Sequence, residues 1–160
     1  GLKQIAILRD RFGEKCMIGA GTAISVDLAK AAIGAGAQFL LTPGTPIDVL
    51  QYCAKKDIML LPGVFTPGDV ATSLEFGYKT MKLFPAGCAP KGYLKALKGP
   101  YDEANYIAIG GVTIDNINDY FKEGYMGVGL ASNLMPLSVL KDKNWDLGVS
   151  YVQKYVSRVK

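Results

Sequence analysis

Short apolar runs alternate along the chain with longer stretches in which apolar residues recur every three or four positions. KCMIGA (15–20), QFLLT (38–42), IMLLP (58–62), TMKLF (80–84), YIAIG (106–110) and MGVGLA (126–131) have the length and apolar density of buried strands. Between them, VDLAKAAIGAG, PIDVLQYCAKK, PGDVATSLEFG, YLKALKG and TIDNINDYFKEG read as amphipathic helices. Ser25, Pro46, Pro67 and Thr113 each stand beside an aspartate, the pattern of a helical first turn, and Gly36, Gly77, Gly99 and Gly124 stand where helices end. DLGVSYVQKYVSRV predicts a closing helix with Val149, Val152 and Val156 toward the core. The opening segment, LKQIAILRDRF, has apolar residues at 2, 5, 8 and 12 and predicts a helix that follows a strand not present in this chain.

Connections of this length are too long for hairpins and imply parallel strands joined by crossover helices. LLTPGTPIDVL at 40–50 is echoed by LLPGVFTPGDV at 60–70, and every strand runs into small or turn-forming residues: GAGT, TPGT, LPGV, FPAG, IGGV and LAS. A similar loop after every strand fits a barrel whose loops build one shared face. A doubly wound sheet accounts for the alternation but not for the repeated loop. The expectation is therefore an α/β fold of the (β/α)8 TIM-barrel type, with about six βα units in this chain. Residues 1–160 would form a single barrel domain that is N-terminally incomplete.

Composition narrows the chemistry. Of the 160 residues, 49% are hydrophobic and 20% are charged, which suits a packed core and not a disordered chain. Apolar runs such as FLL and IMLL are too short to span a membrane, and the N-terminus lacks the pattern of a signal peptide. The net charge of +4 is dispersed, so neither nucleic acid nor membrane is an expected partner. Cys16, Cys53 and Cys88 are too widely spaced for a metal knuckle and odd in number, which points to a reducing, cytoplasmic setting. There is no histidine. Catalysis by Ser-His or Cys-His pairs and histidine-bound zinc is thereby removed, and no metal or other cofactor is expected.

Lys82 stands in the middle of an apolar strand. Met81 and Leu83 share one face of that strand, while Thr80, Lys82 and Phe84 share the other. In a barrel, Lys82 would project inward near the carboxyl end of its strand, where burial lowers an amine's pKa and frees it to attack a carbonyl. The alternative is an edge strand with Lys82 in water. Gly110 and Gly111 follow the next strand and Ser132 follows the last, the places where such barrels hold phosphate. GVGLAS at 127–132 lacks the third glycine of a dinucleotide fingerprint. None of the 14 carboxylates lies inside a predicted strand; Asp48, Asp69 and Asp115 read as first-turn aspartates, leaving no strand-borne general base.

With GAGT at 19–22, TPG at 42–44, MKLFPA at 81–86 and IGGVT at 109–113, the sequence resembles the family of 2-keto-3-deoxy-6-phosphogluconate and 4-hydroxy-2-oxoglutarate aldolases. The likeness runs from residue 1 to about residue 140. It implies a class I lyase in which Lys82 forms a Schiff base with a 2-keto acid, without a cofactor. Thr22 and Pro43 match positions near the bound keto acid, Phe84 matches the aromatic beyond the lysine, and Gly110, Gly111 and Ser132 match phosphate-binding positions. The family's general base, a glutamate on its second strand, has no counterpart here. Ile109, LASNL and YLKALKG look closer to the 2-dehydro-3-deoxy-6-phosphogalactonate branch. The resemblance also implies pyruvate and a phosphorylated keto acid as ligands, and a homo-oligomer, usually a trimer. Two other readings stay open: a phosphate-binding isomerase or synthase in which Lys82 is only a charge, and a non-catalytic fragment lacking the base.

Overall fold

The computed structural model describes residues 1–159, which form parallel strands separated by helices. In chain order the elements are α1 (Leu2–Phe12), β1 (Gly19–Ala20), α2 (Val26–Gly34), β2 (Phe39–Leu41), α3 (Ile47–Lys55), β3 (Leu60–Leu61), β4 (Gly63–Val64), α4 (Pro67–Glu75) and β5 (Thr80–Leu83). They continue with a 3-10 turn (Ala86–Cys88), α5 (Tyr93–Lys98), β6 (Asn105–Ile109), α6 (Ile117–Glu123), β7 (Gly127–Gly129), α7 (Leu137–Lys141) and α8 (Trp145–Arg158). Every strand predicted from the pattern is present. The predicted strand 58–62 is a run, 60–64, broken by Pro62, which has no N–H to give to a ladder.

The strands pair in the order in which they occur in the chain. β1, β2 and β3 form one parallel ladder and β4 to β7 another, and the amide of Lys82 donates to the Pro62 carbonyl at 2.8 Å across the break. A doubly wound sheet would reverse direction at a switch point. This order never reverses, as in a barrel. Among the described residues, β1 and β7 each keep one unpaired edge, so the six-strand array is open.

One face of the array is packed against the helices. Leu40, Leu60, Val64, Met81, Leu83, Tyr106 and Ala108 are buried there, in two clusters on either side of Pro62. On the other face, Phe39, Leu41, Leu61, Lys82, Ile107 and Ile109 are half-buried. Glycines make room for their larger neighbours on this inner face. A Cβ at Gly19 would strike the Phe39 ring, and one at Gly129 would come within 2.7 Å of Ile109.

Local chemistry sets the helix ends. The Ser25 hydroxyl accepts from the Leu28 N–H at the start of α2, and Thr66 with Asp69 forms a capping box ahead of Pro67 in α4. Gly36, Gly77 and Gly124 take the left-handed conformation beyond their helices, whereas Gly99 remains right-handed. Thr113 does not open α6. Its N–H donates to the side chain of Asn116, which makes a turn of 113–116 and delays the helix to Ile117. The closing helix also packs on a different face from the expected one. Gly148 seats α8 against Met135 and Val139, which turns Gly148 and Tyr155 inward and leaves Val149 and Val156 exposed.

Candidate active site

Lys82 is near the carboxyl end of β5, on the inner face, with Met81 and Leu83 fully buried beneath it. Its Nζ lies 4.2 Å from the centroid of the Phe84 ring. The ion pairs among the described residues, Lys79–Glu103 and Lys122–Asp119, do not involve it. Burial therefore acts unopposed by any carboxylate and pushes its pKa below the usual lysine value. An amine that is half-buried, unpaired and depressed in pKa is a nucleophile in waiting.

The neighbouring strands bring up the other candidates. Gly63 pairs in register with Lys82, and a Cβ there would collide with the Pro43 carbonyl, so the end of β2 lies against the strand next to the lysine. On the other side, Gly110 packs on Phe84 and Gly111 packs on Gly87; both glycines have positive φ, and either Cβ would press on these neighbours. Lys82, Phe84, Gly110 and Gly111 thus form one contiguous group, with Pro43 one strand away. Thr22 follows β1 and Ser132 follows β7, at opposite margins of the same face. Thr22 has φ +60, a strained conformation for a β-branched residue.

Backbone donors at the two glycine-rich margins are unengaged. Among the described residues, the N–H groups of Gly110, Gly111 and Ser132 donate to no protein acceptor. They stand at the carboxyl ends of adjacent strands, where an anion can accept from them. A cleft of about 530 Å³, lined by residues including Lys91, Asn116, Asp119 and Lys122, lies beside α6 and does not include Lys82. A cleft that lacks the nucleophile cannot host an attack by it. Among the described residues, no carboxylate stands on any of the strands. Asp69 is committed to the cap: burial raises its pKa, but bonds from the Thr66 and Phe65 N–H groups and the Thr66 and Thr45 hydroxyls outweigh that and hold it low.

The family model described as KDPG and KHG aldolase matches residues 1–150. The chain belongs to this aldolase family. It is 30% identical over 155 residues to the 2-dehydro-3-deoxy-6-phosphogalactonate aldolase of Escherichia coli strain K12, covering 96% of this chain and 75% of that protein. It is 34% identical over 130 residues to a 2-dehydro-3-deoxy-phosphogluconate aldolase of Pseudomonas aeruginosa, covering 80% of this chain but only 59% of that protein. Among solved structures, the KDPG aldolase of Legionella pneumophila superposes with a TM-score of 0.87 at 30% identity, over 94% of this chain and 73% of that one. It was captured at low pH with pyruvate as a covalent carbinolamine intermediate.

Several residues that hold the candidate site together are not apparent from the sequence. Buried Thr42 donates to the Gly44 carbonyl at 2.6 Å and accepts from the Gly63 N–H at 3.1 Å, fixing the loop that carries Pro43. Tyr93 donates to the Phe65 carbonyl. Asn133 bonds the Val112 carbonyl, and Tyr155 bonds the Asn133 carbonyl. Apart from the local Thr42–Gly44 bond, these bonds join residues 21 to 28 positions apart through backbone groups, and no spacing in the sequence signals them.

Proposed function

We propose that this chain is the lysine-bearing part of a class I aldolase acting on a phosphorylated 2-keto-3-deoxy sugar acid, releasing pyruvate and glyceraldehyde 3-phosphate. The observation that carries the reading is Lys82: an unpaired, partly desolvated amine at the carboxyl end of an inner-face strand. A carbinolamine such as the one in the Legionella relative requires an amine, and in this chain Lys82 is the group in position to supply it.

The neutral Nζ adds to C2 of the keto acid, and loss of water from the carbinolamine leaves an iminium. That cation draws the electrons of the C3–C4 bond as the C4 hydroxyl loses its proton, so the aldehyde departs and an enamine of pyruvate remains. Protonation at C3 and hydrolysis then free pyruvate and return the amine. Pro43 and Thr22 border the keto acid, Phe84 shields the nitrogen from water, and the free N–H groups at Gly110, Gly111 and Ser132 receive the phosphate. Since the strands carry no carboxylate to take the C4 proton, we assign capture of the keto acid to the described residues and not the whole cleavage. The names of the relatives support a phosphorylated substrate, of either sugar epimer.

The test is reduction with borohydride in the presence of pyruvate, followed by peptide mass analysis. A pyruvate adduct on Lys82 is expected, and Lys82→Arg, which keeps the charge but cannot form an imine, should abolish it. A wild-type chain that stays unmodified overturns the reading.

We further propose a homo-oligomer, a trimer by resemblance, in a reducing cytoplasm. Ile24, Leu28 and Ile47 are about half exposed around the starts of α2 and α3, which favours a covered surface. All three cysteines are free thiols. Among the described residues no helix is long and apolar enough to cross a membrane. Light scattering coupled to size exclusion gives the mass; a monomer at all concentrations refutes the oligomer.

A further inference from the structure

The loop after β7 is pinned from an unexpected direction. The Leu134 N–H donates to the Ala131 carbonyl at 3.0 Å, which makes Ser132 and Asn133 the two central residues of a turn. The Asn133 side chain donates to the Val112 carbonyl at 3.1 Å, immediately after Gly110 and Gly111. The Asn133 carbonyl accepts from the Tyr155 hydroxyl at 2.7 Å. Tyr155 is 7% exposed and lies on α8, 22 residues further along the chain. One hydroxyl therefore ties α8 to a turn whose side chain in turn ties the two glycine-rich margins to each other. A pocket of about 420 Å³ opens at this junction, with Thr113, Ser132 and Tyr155 among its walls.

We propose that Tyr155 is a positioning residue for the phosphate subsite, holding Ser132 in register with Gly110 and Gly111 through Asn133. The proposal rests on the aldolase reading for the identity of the anion, and concerns which side chain keeps the subsite assembled. A subsite built from backbone N–H groups has affinity only while its donors converge. Removing the hydroxyl leaves the Asn133 carbonyl without a partner and lets the turn drift from the Gly110–Gly111 margin, with no direct effect on Lys82.

The experiment compares the full chain with Tyr155→Phe and Asn133→Ala by titration calorimetry against 3-phosphoglycerate and against glycerate. Borohydride trapping of pyruvate on Lys82 is run in parallel. Expected is a loss of about fivefold in 3-phosphoglycerate affinity for each variant, the scale of one hydrogen bond, with trapping at the wild-type rate. Unchanged affinity in Tyr155→Phe overturns the proposal and leaves the aldolase reading standing. Absence of 3-phosphoglycerate binding to the wild type, or wild-type binding no tighter than glycerate, overturns it as well. A fall in pyruvate trapping that matches the fall in phosphate binding assigns Tyr155 a general structural role and also counts against it. Failure of the wild type to trap pyruvate defeats the aldolase reading alone, because the calorimetry still decides whether Tyr155 governs phosphate.

Discussion

Two residues of the proposed site can be tested separately. The Lys82 amine reacts only when neutral, and burial moves its pKa down, so its reactive fraction at a given pH exceeds that of an exposed lysine. The rate of pyruvate trapping should rise with pH and level off with a midpoint below about 10.4, the free lysine value. A midpoint at or above that value removes the desolvation argument. Thr22 poses a different question. Holding a β-branched residue at φ +60 costs about 1–2 kcal/mol, and glycine relieves this at the expense of about 0.5–1 kcal/mol of extra unfolded-chain entropy. Thr22→Gly should therefore stabilise the fold by roughly 0.5–1 kcal/mol in urea denaturation while slowing pyruvate capture, the signature of strain retained for a site. A variant that is less stable, or that captures pyruvate unimpaired, argues that the hydroxyl has no part in the site.

The elements were legible wherever an element announces itself by periodicity. Met81 and Leu83 against Thr80, Lys82 and Phe84 gave the two faces of β5, and Ser25, Pro46 and Pro67 marked true helix starts. Failures came where a single local contact outranked the pattern: Asn116 captured the Thr113 amide, and Gly148 rotated α8 away from its valine stripe. The five-residue α7 is too short to show a period at all. Within the candidate site, Lys82, Phe84 and the glycine pair stand out because their residue types are unusual for their surroundings, whereas Thr42 accepts from a distant amide, and Asn133 and Tyr155 act through distant carbonyls. Asp69 was readable as a cap, but its reach to Phe65 and Thr45 was not. Its carboxyl has a lower pKa folded than unfolded, so its stabilisation is present above the unfolded value and fades as pH falls through the folded one. Asp69→Asn should cost about 1 kcal/mol at neutral pH by chemical denaturation, with the deficit shrinking in acid. A deficit independent of pH would point to lost packing instead of lost charge.

For the molecule as a whole, the order of strands along the sheet repeats the order along the chain, and the inner face is apolar yet only half covered. Phe39, Leu41 and Leu61 on one side of Lys82, and Ile107 and Ile109 on the other, offer half-covered apolar surface to a probe. The folded chain should enhance the fluorescence of anilinonaphthalene sulfonate while keeping its near-ultraviolet circular dichroism and a cooperative melt; dye left dark by such a folded sample would mean that this face is sealed in solution. The interruption at Pro62 has a consequence of its own. Everything before it carries Thr22 and Pro43, and everything after it carries Lys82, the glycine pair and Ser132; the fully buried residues of the two apolar clusters divide there too, though Phe76 and Tyr78 reach back onto the first. On the proposed reading, recognition of the small organic acid and ownership of the reactive nitrogen therefore fall in two blocks of sequence. On that reading, exchange of the leading block between relatives should retune what is accepted, while the trailing block keeps the bond-forming apparatus whole.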